Sequence, residues 1–258
     1  MNIVVLLKQS IDVQELMVDP DSDKIYLEEA PTKPGEIDLN AVEQAVRIKE
    51  KVGGKASLIM LSTWGSSGKR KREAREAIKR SLAMGLDDAV FIFGADGREV
   101  DTYVSAKVIA EKVREIGADL VLAGEGSEDN FTGLLPARVA VELGWPYVAY
   151  VTSIEVEGDY LIVTRSLEDY EEKVRVKLPA VISVTQEINK PRIPKLMEIV
   201  KAGKKPVKEE EFIKKYESKL IIKTIEVPKV ERKKVIIEGD LDEALDKLVQ
   251  ALKEEGVI

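Results

Sequence analysis

The chain has 258 residues, 44% hydrophobic and 34% charged, with a formal net charge of −7 and neither Cys nor His. That length and apolar fraction suffice for one large core. The missing Cys and His exclude disulfides, metal centres built on thiolate or imidazole, and any catalytic triad that needs imidazole. Redox work, if the protein does any, must therefore fall to a bound organic cofactor. No apolar run approaches the roughly 18 to 20 residues needed to span a bilayer, and the apolar part of "MNIVVLLKQSID" is too short for a secretory signal. A soluble, cytoplasmic protein without membrane insertion is the expectation. Abundant Lys, Glu and Arg with few Gln and Asn fit a thermophile.

In chain order, "NIVVLL" (2–7), "ASLIMLS" (56–62), "AVFIF" (89–93), "DLVLAG" (119–124) and "YVAYVTSIE" (147–155) read as short strands, the kind buried on both faces of a parallel sheet. Between them, Leu39 to Val52, Arg70 to Met84, Val100 to Ile116 and Leu134 to Leu143 carry apolar groups at helical spacing. This alternation predicts an open α/β sheet with right-handed crossovers. "ELMVDPDSDKIYLEE" reads as an inserted hairpin around a Pro-Asp-Ser-Asp turn. "DYLIVTRSLEDYEEKVRVKLPAVISVTQE" predicts added antiparallel strands on one side of the sheet.

From Pro191 the texture changes, with Pro at 191, 194 and 206 and dense charge. Between Lys190 and Lys234 there are 15 Lys or Arg against 7 Asp or Glu, a basic stretch attached to an acidic body. We read residues 1–190 as the α/β domain and 191–258 as an extended arm that packs on something other than its own core. The charge points to a protein docking surface; nucleic-acid binding would more often bring interleaved aromatics. The closing "GDLDEALDKLVQALKEEGVI" is a helix with capping-box spacing at Asp240 and Glu243.

Three loops fall where an open α/β sheet binds ligands, at the carboxyl ends of strands. In "DLVLAGEGSEDNFTGLLPARVAVELG", Gly124 and Gly126 end a strand, Asn130, Thr132 and Gly133 precede a helix, and Pro136 suits its first turn. Two readings stay open: a phosphate site, in which glycines let the backbone approach, or a helix start capped by Asp129, Asn130 or Thr132. In "GEIDLNAVEQA", Asp38 and Asn40 sit at the same edge, while Asn40 and Glu43 also have capping-box spacing. In "LSTWGSSGKRKR", Ser62 or Thr63 is a pocket candidate and the basic run is a solvated helix start; Walker spacing is absent.

Six ordered blocks then assemble into a family pattern: "VLLKQSID", "DLNAVEQAVRIKE", "REAIKRSLAMGLDDAVFI", "ADLVLAGEGSEDNFTGLLPARVAVELGWP", "LPAVISVTQEINKPRIPKLMEIVKA" and "LVQALKEEGVI". Through them the chain resembles the beta subunits of electron transfer flavoproteins over nearly its whole length. The resemblance implies a Rossmann-like nucleotide-binding core and a C-terminal arm wrapped around a larger alpha subunit that holds an electron-carrying FAD. It implies AMP in the beta pocket or, in bifurcating members, a second FAD that takes a hydride from NADH. Carried over, the pocket comprises Leu6, Asp38, Asn40, Thr63, Gly124, Glu125, Gly126, Asp129, Asn130, Phe131, Thr132 and Gly133. Leu196 matches the leucine that docks into acyl-CoA dehydrogenases, with quinone reductases as further redox partners; no side chain acts as acid or base. The pattern departs at Leu134, where the family usually has Gln, and at Tyr170, which interrupts an expected Gly- or acid-rich turn. A solitary nucleotide-binding module of universal-stress type is the alternative, and a subunit with an empty pocket is a third.

Overall fold

Strands rich in Val, Ile, Leu and Ala need cover on both faces, and two layers of helices supply it. In the computed structural model, which describes residues 1–19, 24–65, 67–226 and 234–258, the elements run β1 (Asn2–Leu6), β2 (Gln9–Ile11), β3 (Thr32–Pro34), α1 (Glu36–Val52), β4 (Lys55–Leu61), α2 (Gly68–Ala83), β5 (Asp88–Phe93), α3 (Thr102–Ile116), β6 (Leu120–Gly124), α4 (Leu135–Leu143), β7 (Tyr147–Glu157), β8 (Tyr160–Ser166), β9 (Glu171–Lys177), β10 (Ala180–Val184), α5 (Leu196–Ala202), β11 (Val207–Glu211) and α6 (Leu241–Glu254). The chain divides into two units, Met1–Ile225 and Glu226–Ile258. The second contains α6, capped by Asp240, whose Oδ1 accepts from the N–H groups of Asp242 and Glu243.

The first unit holds a nine-stranded sheet in the order β11-β5-β4-β1-β6-β10-β7-β8-β9. The seven strands from β11 to β7 are parallel, and β8 and β9 extend them as an antiparallel meander. This is the expected Rossmann-like α/β class with added antiparallel strands. β10 is different from the sequence expectation: it is parallel and enters the middle of the sheet between β6 and β7. Its "AVISV" is buried throughout, which a central strand tolerates and an edge strand does not. Each large apolar side chain so buried contributes about 2 kcal/mol.

Alternation along β1 divides the core. Ile3 and Val5 pack with α1 and α2, whereas Val4 and Leu6 pack with α3 and α4. The order reverses at β1, which pairs with β4 on one side and β6 on the other, so their carboxyl ends flank a switch point. The flanks of the expected hairpin do pair, through an antiparallel bridge between Val18 and Ile25; its Pro-Asp-Ser-Asp turn lies outside the described residues.

The segment from Pro191 differs in packing from the sequence reading, because its first part returns to the sheet. β11 adds to the edge in parallel with β5, and Ala202 in α5 is buried. Strand-like apolar alternation is absent from "VKEEE", which is why the sequence hid it. Cations from the two helix layers replace it: Glu209 pairs with Arg75 and Lys71 of α2, and Glu210 with Lys112 of α3. Successive strand residues face opposite helices, so alternating faces of charge do what alternating faces of apolar residues usually do.

Candidate functional site

The loops after β1, β4, β6 and β10 gather at the carboxyl edge of the sheet. At its centre is Asp38, in the first turn of α1 and 7% exposed. Its Oδ2 accepts the Lys8 N–H at 2.8 Å and its Oδ1 the Gly124 N–H at 3.0 Å, so one carboxylate joins the ends of β1 and β6 across the switch point. Burial pushes its pKa up to about 7, against the pull of those two N–H groups and the nearby Lys8.

That carboxylate also explains two glycines. A Cβ on Gly124 would lie 2.7 Å from Asp38 Oδ1 and 3.1 Å from the backbone carbon of Ile37, and one on Gly35 would lie 2.6 Å from Asp38 Oδ2. Gly124 is thus small because α1 packs against it. At Gly126 the ring of Phe131 lies 3.2 Å from where a Cβ would be. Gly133 has φ +62, the left-handed region that favours glycine.

The loop after β6 is tied down by groups that the sequence reading missed. Lys8 Nζ meets Asp129 Oδ1 at 2.5 Å and Ser127 Oγ at 2.9 Å, and Asp129 Oδ2 accepts the Ile11 N–H. Lys8 holds the Asp129 carboxyl below the usual range despite its burial. Glu128 Oε1 accepts the Glu36 N–H at the start of α1, while its Oε2 is buried without a protein partner. Glu125 is pushed up by burial and by Glu187. The one signal for Lys8 in the sequence is a lone cation closing the apolar run "VVLL".

Asp129, Asn130 and Thr132 do not cap α4. The helix starts at Leu135, follows Leu134, and has no side-chain cap; Pro136 lies in its first turn and is buried. Its amino end is left to other acceptors. Asn130, Phe131, Thr132 and Gly133 are exposed, with Phe131 70% exposed at φ +43. Leu134, where the related pattern carries Gln, supplies no side-chain cap.

Other candidates turn away from this loop. Asn40 and Glu43 form no capping box, because α1 begins at Glu36 and both lie inside it. Asn40 Nδ2 instead donates to the carbonyls of Gln186 and Asn189, at 3.2 and 2.7 Å. Leu6 is buried among α3 and α4 residues. The Thr63 carbonyl accepts the Gly97 N–H, and Ser62 Oγ donates to Gln9 Oε1. Nor is the basic run after them wholly solvated. Arg70 is 4% exposed, stacks on Trp64, and donates to the carbonyls of Leu27, Glu28 and Ala30. A cleft of about 540 Å³ opens between Met1, Asp119, Asp159 and Lys177, on the opposite, amino-terminal side of the parallel strands. Among the described residues, no cluster suited to a metal ion and no helix long and apolar enough to cross a membrane is present.

Leu196 opens α5 and is 75% exposed, beside exposed Ile193, Met197 and Val200. These side chains stand on the same chain segment as the Asn189 that Asn40 holds.

A mostly parallel sheet with crossover helices and a loop-lined switch point defines an α/β protein of the nucleotide-binding type. Residues 23–214 match the electron transfer flavoprotein domain. Relatives include electron transfer flavoprotein subunit beta of Thermoanaerobacterium thermosaccharolyticum, 34% identical over 270 residues and covering 100% of both chains. The Bacillus subtilis subunit beta is 31% identical, again over 100% of both. Subunit CarD of the caffeyl-CoA reductase-Etf complex of Acetobacterium woodii is 31% identical over 80% of this chain and 77% of its own. The chain belongs to the electron transfer flavoprotein family, as a beta subunit, and its role is in electron transfer.

Proposed function

We propose that the chain works as half of a heterodimer: an alpha subunit carries the electron-transferring FAD, and the carboxyl-edge loops of this chain hold an adenine nucleotide, AMP or a second FAD. The observation that carries the nucleotide reading is the amino end of α4. It lies after the switch-point loop, no side chain caps it, and the left-handed Gly133 shapes the approach to it. Backbone N–H groups and the helix dipole suit a phosphate there. The acidic side chains nearby are accommodated: Asp129 is neutralised by Lys8, and Glu128 is engaged by the Glu36 N–H. Residues Asn130 to Gly133 would hold the phosphates, with Glu125 and Gly126 beside them and only the backbone at Leu6 and Thr63 bordering the rest of the nucleotide. Asp38 and Asn40 support that pocket by fixing the strand ends and the 186–189 turn.

AMP would serve structure alone, whereas a second FAD would supply hydride chemistry with NADH. The chain's own contribution in either case is to bind, orient and exclude water. The part of the arm that follows β11 wraps the alpha subunit, and Leu196 docks a redox protein such as an acyl-CoA dehydrogenase or a quinone reductase. The relationship to a subunit of a complex with caffeyl-CoA reductase favours partners acting on CoA thioesters. The cytoplasm is the proposed location. Mass spectrometry of nucleotides released from the chain co-purified with its alpha partner tests this. One FAD and one AMP, or two FAD, are the expected results; a heterodimer with the alpha-bound FAD alone would overturn the pocket.

A further inference from the structure

A cluster of exposed apolar side chains holds a defined direction only if its base is fixed. Ile193, Leu196, Met197 and Val200 are 86, 75, 65 and 55% exposed. Their base is clamped to α1 chiefly by Glu43 and Arg192, to which the proposed nucleotide pocket gives no role. Glu43 sits mid-helix, 2% exposed, which is costly for a carboxylate without partners. Arg192 supplies them: its Nε reaches Glu43 Oε2 at 2.7 Å, one terminal nitrogen reaches Glu43 Oε1 at 3.2 Å, and its backbone N–H meets Glu43 Oε2 at 3.2 Å. The same guanidinium forks onto Glu50, at 2.7 and 3.1 Å. Arg47 closes the group, with Nε 2.6 Å from Glu43 Oε1. A further clasp lies just before, where Asn189 Nδ2 donates to the Asn40 carbonyl and Asn40 Nδ2 to the Asn189 carbonyl.

Only Arg gives this geometry, because its planar fork serves two carboxylates at once. Four residues after Arg192 the chain enters α5 at Leu196, with the Lys195 N–H held by Glu198. The anchor is therefore one short segment away from the apolar cluster.

We infer that Glu43 and Arg192 are positioning residues for electron exchange, locking residues 189–195 onto α1 so that Leu196 and its apolar neighbours are presented preorganised to a redox protein. The inference rests on the docking reading of Leu196. Preorganisation of this kind acts on encounter and binding, not on the flavin.

The test uses the heterodimer with its alpha subunit, and an acyl-CoA dehydrogenase reduced by its own substrate as electron donor. Arg192→Gln is expected to raise the KM for the dehydrogenase about five- to tenfold at unchanged kcat and flavin spectrum. Amide exchange over residues 193–200 should accelerate. Combined with Leu196→Ala, it should add little, because both act through the same contact. An unchanged KM in Arg192→Gln, alongside a raised one in Leu196→Ala, would overturn the anchor and leave the docking reading standing; multiplicative effects would overturn it equally. An unchanged KM in Leu196→Ala would remove the docking reading first, and the anchor with it. Should Arg192→Gln fail to assemble, Arg192→Lys decides: it keeps the charge and loses the fork, so an intermediate KM supports the anchor and a wild-type KM rejects it.

Discussion

Asp38 shows how one buried side chain sets both geometry and pH response. Its native pKa of about 7 lies above the ordinary 3.8, so the native state binds that proton more tightly than the unfolded chain. The stability from Asp38 is therefore full below about pH 4 and is lost as pH rises towards 7, at up to about 1.4 kcal/mol per unit. Asp38→Asn removes the titration. At pH 5 the native side chain is the neutral acid, whose hydroxyl oxygen can still accept an N–H, whereas the introduced amide's NH2 cannot, so the variant should be about 2 kcal/mol less stable there. The gap should narrow towards pH 8 in denaturant melts; a gap constant with pH would place the titration elsewhere. Gly133 poses a separate question, since its left-handed backbone by itself favours glycine. Asn tolerates that conformation and Val does not. If a phosphate approaches this backbone, Gly133→Val should release most of the bound nucleotide and Gly133→Asn should lower its retention less. Equal retention in wild type and Gly133→Val would take the loop out of the site.

Among the elements, α4 carries the sharpest prediction. With no side-chain cap and Leu134 just before it, its amino end gains from any polar group placed there. Leu134→Gln should strengthen nucleotide binding about fivefold, through one added hydrogen bond worth ~1 kcal/mol. Leu134→Glu should weaken binding while stabilising the free helix by about 0.5 kcal/mol through its dipole. Isothermal titration with AMP and thermal melts separate the two effects; equal AMP affinity in all three proteins would argue against a phosphate at this helix. The elements themselves were legible in the sequence because apolar period reports burial: the first helix was expected from Leu39 and starts at Glu36, and the second from Arg70 and starts at Gly68. What the sequence hid was long-range polar pairing. Asn40 and Glu43 have a cap's spacing but serve residues 186–192, which lie beyond their own helix by more than a hundred positions. β11 was invisible because ion pairs and not apolar burial hold it at the sheet edge, and Arg70 looked solvated because local charge density says nothing of the carbonyls waiting at Leu27 to Ala30. The loop after β6 was placed correctly at the sheet edge, yet Lys8, Ser127 and Glu128, which tie it down, had no motif to mark them.

At the scale of the whole molecule, the two units differ in what holds them. Met1–Ile225 contains the nine-stranded sheet and the apolar clusters on both its faces. Glu226–Ile258 contributes α6, none of whose residues is buried. Leu241, Leu245 and Leu248 recur at helical spacing and are 75, 49 and 44% exposed, a stripe of the sort that becomes buried against another protein. An isolated helix of 14 residues is marginal in water, so this one depends on tertiary or quaternary cover. Ending the chain at Ile225 should therefore leave the melting temperature of the larger unit within about 2 °C of the full chain, since its sheet and core are intact. The same truncation should abolish or strongly weaken capture of a tagged alpha subunit in co-purification. Single changes along the stripe, such as Leu245→Asp, should reproduce the loss of capture without altering the melt. Full capture by the truncated chain would mean that the larger unit alone makes the heterodimer; a melting temperature lowered by 10 °C or more would mean that residues 226–258 stabilise the fold itself.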